Sequence, residues 1–307
     1  MSKARPIWQE LPDHFKRNAV GYLDYKSRCR LRRCSRDELV LVDSCPIFLD
    51  YVELRSPQWQ DARSKMVIRS PFLDLSYPET DDVIADFISL FAHPKSKVGK
   101  VVFHGQNYTA FVAKLLETLG NRKLKVSEAR WSYTWLTAEN YIRLLKSFDS
   151  TTLSKFFAFA LPDQRAGLIF ETEQWRNLVD VNILSPTYTQ IDHFLHLEKL
   201  KVHLQKMSPE DVWKLIRAFM TRDLPHRSYF QVLTNNNLSL PGILEIFENH
   251  SIPSRNQPIS DRALHTQKLR VSGENLILVA EICKTSVCGA ICHVDRQMED
   301  FQWFSDI

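Results

Sequence analysis

Cys283, Cys288, Cys292 and His293 lie within eleven residues and supply four groups able to ligate a soft metal ion. Zinc favours closely paired ligands held tetrahedrally. The spacings here are five, four and one, and the flanking apolar residues predict a β-hairpin, which sends alternate side chains to opposite faces. Structural thiols are expected, not a metal site. Cys29, Cys34 and Cys45 form a second set, five and eleven positions apart with no histidine following, and again lack zinc spacing. His193 and His196, three apart beside Asp192 and Glu198, have the spacing of neighbours on a helix surface. No Gly-x-Ser-x-Gly, Walker loop, His-Glu-x-x-His or dinucleotide fingerprint occurs. No catalytic residue, metal or cofactor is assigned, and an enzyme is not expected.

Only eight glycines among 307 residues also disfavour phosphate-cradling loops. The charge surplus is local: residues 1–45 carry ten Lys/Arg against six Asp/Glu, leaving thirty of each sign elsewhere. Five arginines and a lysine fall in Leu23–Asp37 alone. A nucleic-acid arm is one use for such a stretch, but only Tyr22 and Tyr25 stand near as stacking platforms. Six cysteines do not make a disulfide scaffold, no secretory leader is recognisable, and apolar runs such as Leu276–Ala280 are far too short to span a bilayer. An intracellular setting, cytoplasmic or nuclear, is expected, with the glycosylation-like triplets at Asn107, Asn237 and Asn249 as chance matches.

The elements around the basic stretch follow from periodicity. Leu11, Phe15, Ala19 and Leu23 recur every four residues, with Tyr22 beside them, and predict a helix opened by Pro12. Ser27 is expected to cap a second helix, with Leu31, Cys34, Leu39 and Val42 on its buried side and Arg32, Arg33 and Arg36 opposite. Cys34 is then a small core residue. Pro46 ends the segment.

Leu11-Pro12, Phe15, Val20-x-x-Leu23-Asp24, Lys26-Ser27, Leu31-x-x-Cys34-Ser35-Arg36 and Val42-Asp43 closely resemble an F-box, in a style similar to the nematode F-box A or FTH families. Arg28 and Cys29 stand where aliphatic residues are usual. The resemblance implies docking to the adaptor subunit of a cullin-based, SCF-type ubiquitin ligase through Leu11, Pro12, Phe15, Val20, Leu23, Leu31 and Cys34. It also implies a target-recognition subunit whose target is unknown. The alternative is a nucleic-acid-binding protein using its basic N-terminal helix.

Downstream, an apolar-x-x-apolar-x-apolar pattern recurs at Val98/Val101/Phe103, Val126/Ala129/Trp131, Leu153/Phe156/Ala158, Leu178/Val181/Ile183 and Leu197/Leu200/Val202, with a partial copy at Phe230/Val232. Middle positions lie 28, 27, 25, 19 and 30 residues apart, with helical stretches between several of them. Alternation at this period predicts a mixed α/β fold, a degenerate leucine-rich-repeat-like β/α solenoid, favoured over a doubly wound sheet because no glycine-rich turn is present. The expected organisation is an F-box over 8–45, a connecting hairpin and helix over 46–95, repeats over 96–250, and a loop with a capping hairpin over 251–307. Trp131, Tyr133 and Trp135 are candidate binding aromatics, with core packing the competing role.

Overall fold

Four short helices open the chain: α1 (Ile7–Glu10), α2 (Asp13–Tyr22), α3 (Tyr25–Arg32) and α4 (Arg36–Asp43). The computed structural model describes residues 7–55, 65–70, 73–77, 83–104, 108–132, 136–162, 166–250, 252, 262–271 and 275–296. One helix expected between Ser27 and Val42 is two. Asp24, not Ser27, caps α3 by accepting from the Ser27 N–H, and Ser35 caps α4 by accepting from the Glu38 N–H. Because Ser35 is extended there, the Leu31-to-Val42 periodicity is interrupted and Cys34 falls at the surface. The core of this unit is small: Val20, Val42 and Cys45, edged by Trp8, Leu23, Leu31 and Leu41.

Among the described residues, twelve strands form one sheet: β1 (Phe48–Arg55), β2 (Lys65–Ser70), β3 (Leu73–Tyr77), β4 (Lys97–His104), β5 (Val126–Ser132), β6 (Lys155–Ala158), β7 (Asp180–Thr187), β8 (Lys199–Leu204), β9 (Tyr229–Thr234), β10 (His265–Arg270), β11 (Leu276–Ile282) and β12 (Ser286–His293). From β4 to β9 each strand pairs in parallel with the next in sequence. On one edge β1 joins β4 in parallel, followed by antiparallel β2 and β3; on the other, antiparallel β12, β11 and β10 continue from β9. Strict sequential order excludes the doubly wound alternative, whose strand order reverses at a switch point. The expected terminal hairpin is β11–β12, and β10 lies where a loop was expected up to Gln267.

The connecting helices pack on a single face: α5 (Val83–Ser89), α6 (Tyr108–Leu119), α7 (Ala138–Ser147), α8 (Ala166–Phe170), α9 (Glu173–Arg176), α10 (Pro209–Thr221) and α11 (Leu240–Asn249). Every apolar position of the six repeat copies is buried beneath them. Strand side chains alternate between faces, so this one layer of contacts fixes which residues remain for the other face. Helix α10 begins with a capping box between Ser208 and Asp211, followed by Pro209. Two glycines are set by close approach: a Cβ at Gly99 would lie 2.7 Å from the Asp50 carbonyl oxygen, and one at Gly289 would lie 2.5 Å from the Phe230 ring.

Candidate functional site

The N-terminal helices carry one exposed apolar surface. With Val20 turned inward, α2 presents its opposite side outward, where Phe15 is 54% exposed and Tyr22, seven residues on along the same stripe, is 92% exposed. Val40 on α4 is 62% exposed. Isolated apolar side chains at a surface are ordinary, but three on a unit with so small a core are candidates for covering by a partner.

What holds this unit in shape is largely polar. The Arg28 guanidinium, buried, donates to three main-chain carbonyls: Nε to Leu23 at 3.2 Å, Nη1 to Pro46 at 2.8 Å and Nη2 to Gly21 at 3.2 Å. These oxygens terminate α2 and open the exit strand, so one side chain ties three chain segments. Burial lowers the Arg28 pKa from its usual value. Arg32 makes a two-pronged pair with Asp43, Nε to Oδ1 at 2.8 Å and Nη2 to Oδ2 at 3.1 Å, and Trp8 Nε1 donates to Glu38 at 2.8 Å. The exit is fixed too: Ile47 N–H donates to Ser96 Oγ and its carbonyl accepts from Lys97 N–H, both at 2.9 Å. Tyr25 packs against the core of the sheet.

The second surface is the face of β5–β9 opposite the described helices. Its outward residues fall in rows set by strand register: Glu128, Lys155, Asp180, Lys199 and Tyr229 in one, then Arg130, Phe157, Asn182, Lys201 and Gln231. Phe159, Leu184, His203 and Leu233 continue the same alternation toward the strand C-termini. A depression of about 240 Å³ is centred here, with Arg130, Lys155, Phe157, Asp180, Lys201 and Tyr229 among its walls. Arg130 lies over the Phe157 ring at 5.1 Å and Lys201 over the Tyr229 ring at 5.8 Å.

Charges on this face differ in how well they are matched. Burial pushes the Glu128 carboxyl up, but the hydrogen bond and charge of Arg130, with Lys100 at 3.2 Å, outweigh it and hold the pKa below the ordinary range. Asp180 is the reverse case: burial raises its pKa, and Lys155 and Lys199 offset that only in part. Burial lowers Lys201, opposed by Asp180, and pushes Tyr229 up to about 12.

Residues 8–50 match the family model of the F-box domain, and residues 107–250 match that of the FTH domain. The chain matches an F-box protein of the FTH type. No curated protein and no solved structure matches it. The F-box supports a role as an adaptor-binding subunit of SCF-type ligases, and the open face of β5–β9 belongs to the FTH domain.

Within the F-box, the seven expected docking residues separate into two groups. Leu11, Pro12, Phe15 and Cys34 reach the surface, Leu11 only in part. Val20 is 0% exposed and is corrected to a core residue, since a side chain with no accessible surface cannot touch a partner. Leu23 and Leu31, half-buried, pack on that core. Tyr22 and Val40 were not among the expected contacts. Of the five arginines in the basic stretch, Arg28 and Arg32 are engaged internally.

The remaining candidates are structural. Trp131 is fully buried, 4.2 Å from the Tyr141 ring and 4.8 Å from Phe156, while Tyr133 and Trp135 lie outside the described residues. His193 and His196 sit on and after a 3₁₀ turn, not an α-helix. His193 stacks on Phe170 at 4.2 Å, and His196 Nε2 lies 3.0 Å from the Trp175 carbonyl oxygen, its pKa lowered by burial. Cys288 and Cys292 share one face of β12 with Ala290 and join a minor apolar cluster around Tyr229 and Val279. Burial pushes both Cys283 and Cys288 thiols up, and no metal-holding group of His, Cys, Asp and Glu occurs among the described residues.

Proposed function

We propose that this protein is a non-enzymatic receptor subunit of an SCF-type ubiquitin ligase, in which the F-box docks on the Skp1-like adaptor and the open face of the FTH domain holds a target. The observation that carries it is the outward placement of Phe15 and Tyr22 on an F-box whose own core is already filled by Val20, Val42 and Cys45. Exposed aromatics of this kind anchor interfaces because they bury large apolar area at small entropic cost.

The ligase then gains rate by tethering. Holding a target near the transfer site raises its effective concentration and makes attack by a target lysine nearly intramolecular. That gain depends on a stiff path between the two surfaces. Arg28, the Ile47 main-chain bonds and Tyr25 supply such a path from F-box to sheet. An intracellular, reducing setting suits six cysteines that are all free.

The test is co-purification of the full chain with the adaptor. Elution as a single complex from gel filtration supports the docking role, and separate elution of two folded proteins overturns it.

A further inference from the structure

Across β4–β8 the open face carries Lys100, Arg130, Lys155, Lys199 and Lys201 against only Glu128 and Asp180. Lys100 and Arg130 neutralise Glu128. Among the described residues, Lys155, Lys199 and Lys201 have no carboxylate within ion-pair distance. They surround a single, partly desolvated Asp180, so the centre of the face is short of negative charge. Alongside this basic row runs an apolar one: Phe159 is 37%, Leu184 49% and Leu233 43% exposed, all on the outward side of their strands. Asn182, in the wall of the depression, carries a buried side-chain oxygen without a hydrogen-bond partner.

We infer that this face takes an acidic and apolar peptide segment: an extended stretch of the target in which Asp or Glu alternates with a large aliphatic residue. The inference rests on the assignment of the open face as the target-binding surface, and adds what that surface selects. Alternation follows from geometry. An extended chain laid across the strands between the two rows sends successive side chains to opposite sides, carboxylates toward Lys155 and Lys201 and aliphatics toward Leu184 and Leu233. Its main-chain N–H groups are donors of the kind Asn182 lacks. A nucleic acid fits less well, because Glu128 and Asp180 interrupt the positive track that a phosphate backbone follows, and phosphates have no donor for Asn182.

Fluorescence anisotropy on the full chain tests this with labelled probes of about ten residues, long enough to cross four strands. The probes are an alternating Asp-Leu peptide, an alternating Lys-Leu peptide, an Asp-Ser peptide and a single-stranded oligo-dT. The Asp-Leu probe is expected to bind at least about tenfold more tightly than the others and to weaken as salt rises. Lys155→Glu with Lys201→Glu, and separately Leu184→Asp with Leu233→Asp, should each reduce its affinity about tenfold or more, with an unchanged circular dichroism melting curve as the check on folding. Preference for Lys-Leu that the Leu184/Leu233 variant still abolishes overturns the acidic class and leaves the face a target site. Preference for the oligonucleotide overturns the peptide assignment. Equal binding of Asp-Leu to both variants and the native chain removes the face itself.

Discussion

The F-box and the sheet that follows it reach order by different means. The sheet buries a continuous apolar layer under the described helices α5–α11, and each strand needs only its neighbours to be positioned. The F-box has three fully buried apolar side chains and relies on a buried arginine, an Arg32–Asp43 pair and a Trp8–Glu38 hydrogen bond. In the sheet the apolar core leaves the charged residues of β5–β8 on the open face. A small unit with polar ties leaves its aromatics outside. The two regions thus present surfaces of different character: apolar on the F-box, charged and apolar in rows on the sheet.

Perturbing each mode of support separately should break that contrast or sharpen it. Trp131→Ala has the largest expected effect, about 3–5 kcal/mol, because it empties the centre of the sheet's core where Tyr141 and Phe156 meet. Chemical denaturation should show the midpoint of the main transition falling, and a shift below about 1 kcal/mol would mean that this part of the core is not tightly packed. Arg28→Ala is expected to cost about 3 kcal/mol, since three carbonyls lose a charged donor. Its signature is local: faster hydrogen exchange in 13–45 with 97–234 unchanged, whereas uniform acceleration would show the two regions unfolding as one.

The smallest effect is Asp180→Asn, and its sign depends on pH. Burial raises the folded-state pKa of Asp180 above its unfolded value, so the native carboxyl is favoured when protonated and that contribution is lost as pH rises through the folded pKa. The variant should therefore be more stable than the native chain at neutral pH and equal to it near pH 3, where the carboxyl is largely neutral in both states. Thermal melts at the two pH values check this. Lower stability of the variant at neutral pH would mean that Lys155, Lys199 and Lys201 outweigh burial.

The inward positions of β4–β9 were legible because each answers to one requirement, contact with the helix layer. All three apolar sites of the five full copies, from Val98 to Val202, and both of the partial copy, Phe230 and Val232, fall inside. Strand β10 was missed because His265, Thr266 and Gln267 look like loop residues and are buried nonetheless, enclosed by the strand pairing that also places them. The Arg33–Ser35 break was hidden by an apolar period that runs on through it, while the cap at Ser35 decides the backbone. Arg28 read as a departure from an aliphatic position, and its role emerges only where carbonyls from residues 21, 23 and 46 converge. The open-face rows needed register: Lys155, Asp180 and Lys199 are about twenty residues apart in sequence and adjacent only across strands.

Titration of the Skp1-like adaptor by isothermal calorimetry into three forms of the chain tests the two-surface account most directly. The native chain and the Lys155→Glu/Lys201→Glu variant should bind the adaptor with the same affinity within about twofold, since the open face takes no part in docking. Phe15→Asp with Tyr22→Asp should weaken binding by about a hundredfold or more, the loss expected when two interface anchors become charged. Undiminished affinity in the Phe15/Tyr22 variant, or an equal loss in the open-face variant, would contradict the account.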